Sequence, residues 1–197
     1  DLGLLLDSGT SVAHCPTVFV RRGIALETFG GYLRRGLTVG IGTDTFPHNM
    51  LEEVRSALYT ARVVAGTQED VSTAQGFHAA TLGGAKLLGR TDIGRLAVGA
   101  KADVVLVDCR HPAMRPLRDP LRSLIYTAAE RAVRDVFIDG RQVVENGRLK
   151  HVDVAASSEG LEAAQRRAEA GVEELDWAGR AHDELSPMTL PRRGRNA

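Results

Sequence analysis

The sequence predicts an α/β protein, and three observations carry that reading. Strand and helix signals alternate through the first 90 residues. The apolar run Leu37-Thr38-Val39-Gly40-Ile41-Gly42 suits a strand buried on both faces of a parallel sheet. After Gly89 the character changes to β-hairpin patterning, which marks a separate small β unit over 91–150.

The chain opens on Asp1-Leu2-Gly3-Leu4-Leu5-Leu6, which reads as the last turns of a helix already under way, with Gly9 as its C-cap. With no starting Met, this gives the expectation of a fragment. Ser11-Val12-Ala13-His14 reads as a short strand ended by Cys15-Pro16. Residues Ala25 to Arg35 read as a helix, with Leu26, Phe29 and Leu33 at helical spacing and Gly36 as its stop. A long helix follows from Asn49 to Val64. Asn49 is a good N-cap, and Glu52 three residues on is expected to complete a capping box. Another helix is expected from Ser72 to Leu88. Two strand–helix units are too few to close a barrel and look like the last two units of one.

In the β unit, Ala102 to Asp108 is a strong strand. Val133 to Asp139, the turn Asp139-Gly140 and Gln142-Val143-Val144 read as a hairpin. Asp119-Pro120-Leu121 opens a short helix through Ala129. From Glu159 to Leu175 a helix carries Leu161, Ala164, Ala168, Val172 and Leu175 on one stripe, so it is expected to dock on something. The expected division is thus 1–90, 91–150 and 151–197, the last a helix and tail.

Composition narrows the function classes. The 197 residues are 43% hydrophobic and 25% charged, an ordinary globular balance. Lys plus Arg and Asp plus Glu both number 25, so the basic excess of a nucleic-acid binder is missing. Only Pro191 to Arg195 is locally basic, and it reads as a solvated terminus. No apolar run approaches the roughly 18 residues of a membrane span. No secretory signal opens the chain. Two cysteines, Cys15 and Cys109, give no disulfide framework and point to the cytoplasm.

Asp44 is the most informative residue. It lies just past the buried strand, in Gly40-Ile41-Gly42-Thr43-Asp44-Thr45. The C-terminal ends of parallel strands are where α/β sites form, and a carboxylate there is a fit ligand for a divalent metal. The alternative is that Asp44 only orders a turn or caps the next helix. A dinucleotide loop is the weaker reading of these glycines, because Thr45 stands where the third glycine of G-x-G-x-x-G belongs. His48 and Asn49, in the loop after Asp44, are substrate-side candidates. His14 is a further one, with a structural role as the competing reading. His78 is expected to be packed in its helix and His111 to be a loop residue. No H-x-H, H-E-x-x-H or C-x-x-C motif occurs.

Several stretches together resemble the amidohydrolase superfamily, in its cytosine-deaminase-like and triazine-hydrolase-like (chlorohydrolase-like) branch. They are Val12-Ala13-His14-Cys15-Pro16, Gly40-Ile41-Gly42-Thr43-Asp44, and Asn49-Met50-Leu51-Glu52-Glu53-Val54-Arg55. Further on come Ala79-Ala80-Thr81 with Gly83-Gly84-Ala85, the specific run from Gly94 to Asp103, and Val133 to Gly147. The resemblance implies the C-terminal part of a (β/α)8 TIM-like barrel, with the strand before Asp44 as its eighth. It also implies that 91–150 is the C-terminal share of a small composite β-sandwich.

For function, the resemblance implies a metal-dependent hydrolase. Its substrate would be a small molecule, a cyclic amidine or aminated N-heterocycle, whose C–N or C–halogen bond is cut by metal-activated water. Asp44 matches the family's metal-binding aspartate, which also moves a proton between water and leaving group. One divalent metal, zinc or alternatively iron, is implied for the intact enzyme. The family's H-x-H pair and its histidines and glutamate from earlier strands have no match here, and His14 matches no ligand. This chain alone is therefore expected to be inactive and to hold no metal tightly, and its partner would be the missing N-terminal half of the same protein. A homo-oligomeric parent is expected, with no nucleic-acid or membrane partner. The alternative is a non-catalytic remnant acting as a binding or assembly module.

Overall fold

The computed structural model describes residues 2–25 and 29–190. Cα packing divides them into two compact units that part between Lys150 and His151.

The first unit begins with helix α1 (Leu2–Asp7), closed by Gly9 in the left-handed region, as its sequence predicts. Strand β1 (Val12–His14) follows, and then an unanticipated helix, α2 (Pro16–Val20). Pro16 sits at the first helical position, where its missing N–H costs nothing, so the Cys15-Pro16 pair starts a helix as well as ending a strand. Helix α3 (Phe29–Arg34) starts later than the predicted Ala25, and Leu26 lies outside the described residues. Gly36, at φ 81°, stops it. Strand β2 (Val39–Ile41) is buried throughout and pairs in parallel with β1, Val12 opposite Val39 and His14 opposite Ile41.

Helix α4 (Met50–Ala65) is capped by Asn49, whose side chain accepts the Glu52 N–H at 3.2 Å. The reciprocal capping box forms instead at the next helix, between Ser72 and Gln75. There α5 (Thr73–His78) runs into a π-helical turn (Ala79–Gly83) and then α6 (Gly84–Leu87). The wide turn lays the helix on β2, where a Cβ on Gly83 would come within 2.3 Å of the Val39 carbonyl oxygen. Only glycine permits that approach. The core gathers Phe29, Leu37, Val39, Ile41, Val54, Ala57, Leu58, Ala61, Val71 and Ala79.

Strands β3 (Val104–Val107), β4 (Val133–Ile138), β5 (Arg141–Glu145) and β6 (Arg148–Leu149) form an antiparallel sheet in chain order. Asp139 and Gly140, at φ 50° and 80°, make the predicted hairpin turn. Between β3 and β4, Asp119 caps α7 (Pro120–Ser123), which continues as a π turn (Leu124–Ala128) and a 3-10 turn (Ala129–Ala132). Ile125 from this stretch is fully buried in the core of the α/β part. The described residues are thus a mixed α/β arrangement.

The second unit is built on α8 (Val154–Leu175), which starts earlier than predicted because Asp153 caps it, and α9 (His182–Leu185). No residue of α8 is buried, and Leu161 and Leu175 on its predicted docking stripe are exposed. Its C-terminal turn is tied by Arg180 to Asp176 at 2.8 Å, and that pairing holds the Asp176 carboxyl down at about 2. The basic stretch at 191–195 lies outside the described residues. No helix among the described residues is long and apolar enough to cross a membrane.

Candidate active site

Parallel pairing puts the C-terminal ends of β1 and β2 at one edge, and the Gly42 N–H donates to the His14 carbonyl at 3.0 Å to close it. From this edge β2 runs into the loop 42–49. Asp44 stands there exposed, at φ 57°. Left-handed backbone is uncommon for residues other than glycine, though Asp and Asn are the readiest to adopt it. Asp44 does not cap α4; Asn49 does that.

The loop is secured along its length. The Thr43 hydroxyl and His48 Nδ1 are 3.1 Å apart, so exposed His48 braces the same turn as Asp44. Arg21, at the end of α2, donates to the Phe46 carbonyl at 2.9 Å and lies 4.4 Å over the Phe46 ring. Asn49 uses both ends of its amide: Oδ1 accepts from Glu52, and Nδ2 donates to Glu130 Oε2 at 2.6 Å. The second bond is the main reason the Glu130 carboxyl titrates below its ordinary range. Both functions of the Asn49 amide are thus engaged in holding the loop to its surroundings.

His14 lies elsewhere. Its ring is 3% exposed, stacks on Phe29 at 5.4 Å and meets Tyr32 edge-on at 6.2 Å. Burial lowers its pKa from 6.5 to about 4, so the ring is neutral near pH 7. Both ring nitrogens are buried, and neither has a hydrogen-bond partner among the described residues. The neighbouring Cys15 instead faces the strand-end edge. Its thiol is pushed up first by burial and then by the charges of Asp44 and Glu53, while the Gly42 backbone pulls the other way. His78, expected to be packed, is exposed, because the buried side of its helix is taken by Thr73, Gly76 and Ala79. His111 is a loop residue that caps a short turn by accepting the Ala113 N–H at 3.1 Å.

Glu53, Arg21 and Glu130 complete the surroundings and were not foreseen as part of them. Glu53 left a readable signal: it falls in helical step with Val54, Ala57, Leu58 and Ala61, the buried face of α4. Arg21 and Glu130 left none, since both partners are distant in sequence.

By chemistry Asp44 is a suitable oxygen donor to a divalent ion. Among the described residues no group of three or more His, Cys, Asp or Glu could hold one.

Comparison with known proteins gives the family of the chain. Residues 3–143 match the Amidohydrolase family, and the chain belongs to it. It is 34% identical over 157 residues to a 5-methylthioadenosine/S-adenosylhomocysteine deaminase of Pelotomaculum thermopropionicum, covering 78% of this chain and 36% of that one. The deaminase of the same name from Halobacterium salinarum is 33% identical over 173 residues, 86% of this chain and 39% of that one. Among solved structures, an adenosine deaminase from Xanthomonas campestris with bound zinc superposes with a TM-score of 0.80 at 33% identity, over 86% of this chain and 40% of that one. A mutant atrazine chlorohydrolase from Arthrobacter aurescens, complexed with zinc and atraton, gives 0.73 at 29% identity, over 80% and 36%. The chain thus spans between 36% and 40% of the length of these four proteins.

Proposed function

We propose that this chain is the C-terminal part of a metal-dependent amidohydrolase that opens C–N or C–halogen bonds of a cyclic amidine or aminated N-heterocycle, and that Asp44 is its catalytic and metal-binding residue. The observation that carries the reading is the placement of Asp44: an exposed carboxylate in a left-handed turn past the buried parallel strand, in a chain similar to zinc-bound deaminases and chlorohydrolases. A divalent metal, zinc first and iron as the alternative, would make hydroxide available near neutral pH when bound. Asp44 would supply one oxygen ligand and move a proton from the attacking water toward the leaving group. The other ligands would come from the N-terminal half of the same polypeptide.

In this reading β1 and β2 are the last two strands of a (β/α)8 barrel, 91–150 is the chain's share of a composite β-sandwich, and 151–197 is a C-terminal helix and tail. His48 and Asn49 support the loop of Asp44 near the substrate, and His14 packs behind the strand. The parent would be a homo-oligomer. Two unpaired, half-buried thiols, Cys15 and Cys109, support a cytoplasmic setting.

The test uses the complete polypeptide. It is assayed for release of ammonia, amine or chloride from 5-methylthioadenosine, S-adenosylhomocysteine, adenosine and chlorinated triazines, before and after chelation. Turnover of at least one, abolished by chelator and restored by zinc or ferrous iron, is the expected result. Turnover that survives complete metal removal would overturn the reading.

A further inference from the structure

Glu53 is a carboxylate where the pattern of α4 calls for an apolar residue. It is 3% exposed, and its neighbours on the helix face, Val54, Ala57, Leu58 and Ala61, belong to the core. A carboxylate so placed is costly unless its oxygens are used. Glu53 Oε1 accepts the backbone N–H of Thr17 at 2.9 Å. Thr17 is the second residue of α2, whose N-cap residue, Cys15, gives no side-chain cap. The missing cap is thus delivered from another helix. One turn along α4, Ser56 Oγ takes a second bond from Thr17, 3.0 Å from its hydroxyl.

These two bonds fasten more than α2. His14, Cys15, Pro16 and Thr17 are consecutive, so the start of α2 is also the end of β1. Cys15 Sγ packs so closely on Gly42 that a Cβ there would meet it at 3.0 Å. Gly42 in turn donates to the His14 carbonyl and stands two residues before Asp44. The connection from Glu53 to Asp44 therefore runs by a hydrogen bond to Thr17, along the chain to Cys15, by packing onto Gly42 and along the chain to Asp44. The loop is anchored at its other end by α4 itself, so both supports of Asp44 are set by one helix.

We propose that Glu53 is a positioning residue for the reaction: by capping α2 from α4, its carboxylate fixes the strand-end turn against which Gly42 and Asp44 are seated. This rests on the reading of Asp44 given above. Glu53 touches no reacting atom, and its contribution is geometric. The position of the oxygen matters, and its charge matters much less.

The experiment is steady-state kinetics on the complete polypeptide carrying Glu53→Gln, Glu53→Asp, Glu53→Ala or Thr17→Val, with Asp44→Asn alongside. Glu53→Gln keeps the reach of Oε1 without the charge, and kcat should stay within a few-fold of wild type. Glu53→Asp keeps the charge but withdraws the oxygen by one methylene. Its kcat should fall about ten- to a hundredfold, the scale on which misplacement of a reacting group is felt, with KM nearly unchanged. Glu53→Ala should match Glu53→Asp, and Thr17→Val, which keeps the N–H bond to Glu53 and loses only the hydroxyl bond to Ser56, should lower kcat no more than a few-fold. Thermal melts confirm that each variant is folded at the assay temperature. If Glu53→Ala does not fold, the Gln and Asp variants decide. Normal turnover in a folded Glu53→Asp, or a Glu53→Gln that is unfolded or as impaired as Glu53→Asp, overturns the proposal. Normal turnover in Asp44→Asn instead overturns the reading of Asp44.

Discussion

Asp44 and Asp135 are carboxylates on the two sheets of the same compact unit, and their surroundings are opposite. Asp135, in the antiparallel sheet, is buried and saturated: it accepts the Asn146 N–H at 3.0 Å, pairs with Arg134 at 2.7 Å and is reached by Gln142. Those donors, the Asn146 backbone first, hold its carboxyl below the ordinary range. Asp44, past the parallel pair, is exposed on a left-handed turn, and the bonds around it fasten Thr43, Phe46 and Asn49. A carboxylate with its oxygens already bonded stabilises a fold. One held rigidly by its neighbours, with its oxygens outward, is available to a ligand or a proton.

The largest effect should follow from Asp44→Asn in the complete polypeptide. Asparagine tolerates the left-handed backbone at least as well as aspartate, so the turn at φ 57° survives and only charge and basicity are lost. We expect kcat to fall by roughly two to four orders of magnitude, KM to change much less, and the melting temperature to stay put. Near-normal kcat would make Asp44 a turn residue, no different in kind from Asp135.

A second effect tests whether the two regions share one core. Ile125 belongs to the stretch joining β3 and β4, yet it is fully buried among residues of the α/β part. Ile125→Ala should destabilise by about 2–5 kcal/mol in denaturant titration, the usual range for a buried isoleucine truncated to alanine. A loss confined to the antiparallel sheet, seen by hydrogen exchange, would show instead that the regions unfold separately.

The third concerns His14 and acid. Its folded pKa is about 4 and its ordinary value 6.5, so the unfolded chain takes up the proton first as pH falls. The stability gained from the neutral buried ring is full above pH 6.5 and is lost progressively down to pH 4, by about 3 kcal/mol. His14→Phe should keep the stack on Phe29 and flatten that part of the pH profile. An unchanged slope would place the acid sensitivity in other groups.

The same comparison explains what was legible in the sequence. Strands, caps and turns that depend on neighbours in the chain were readable: β2, the Asn49 cap, the Asp139-Gly140 hairpin and the strand-end position of Asp44. Helix α2 was hidden because Cys15-Pro16 ends one element and starts the next within two residues. The π turn at 79–83 was hidden because its cause is a contact, Gly83 against the Val39 carbonyl. Asn49 was legible as a cap, and its second bond was not, because Glu130 is 81 residues away. His14 shows the limit most plainly: a histidine at a strand end can serve a site or a core, and its packing on Phe29 and Tyr32, more than ten residues away in sequence, was not legible.

The smallest effect should come from Asn49→Ala, and it is the sharpest probe of how the two regions meet. Asn49 caps α4 on one side and donates to Glu130 on the other, so it joins the loop of Asp44 to the turn that precedes β4. Losing an N-cap costs about 1 kcal/mol. The bond to Glu130 adds little at an exposed site, because water can replace it. Asn49→Asp separates the two roles: it keeps the cap oxygen but sets a carboxylate against Glu130. Asn49→Ala should therefore lower stability by about 1 kcal/mol, and Asn49→Asp should retain the cap yet loosen the link to Glu130. If the link steadies the loop, kcat should fall a few-fold in both variants. If only the cap matters, Asn49→Asp should behave as wild type, and the antiparallel region would then stand apart from the chemistry altogether.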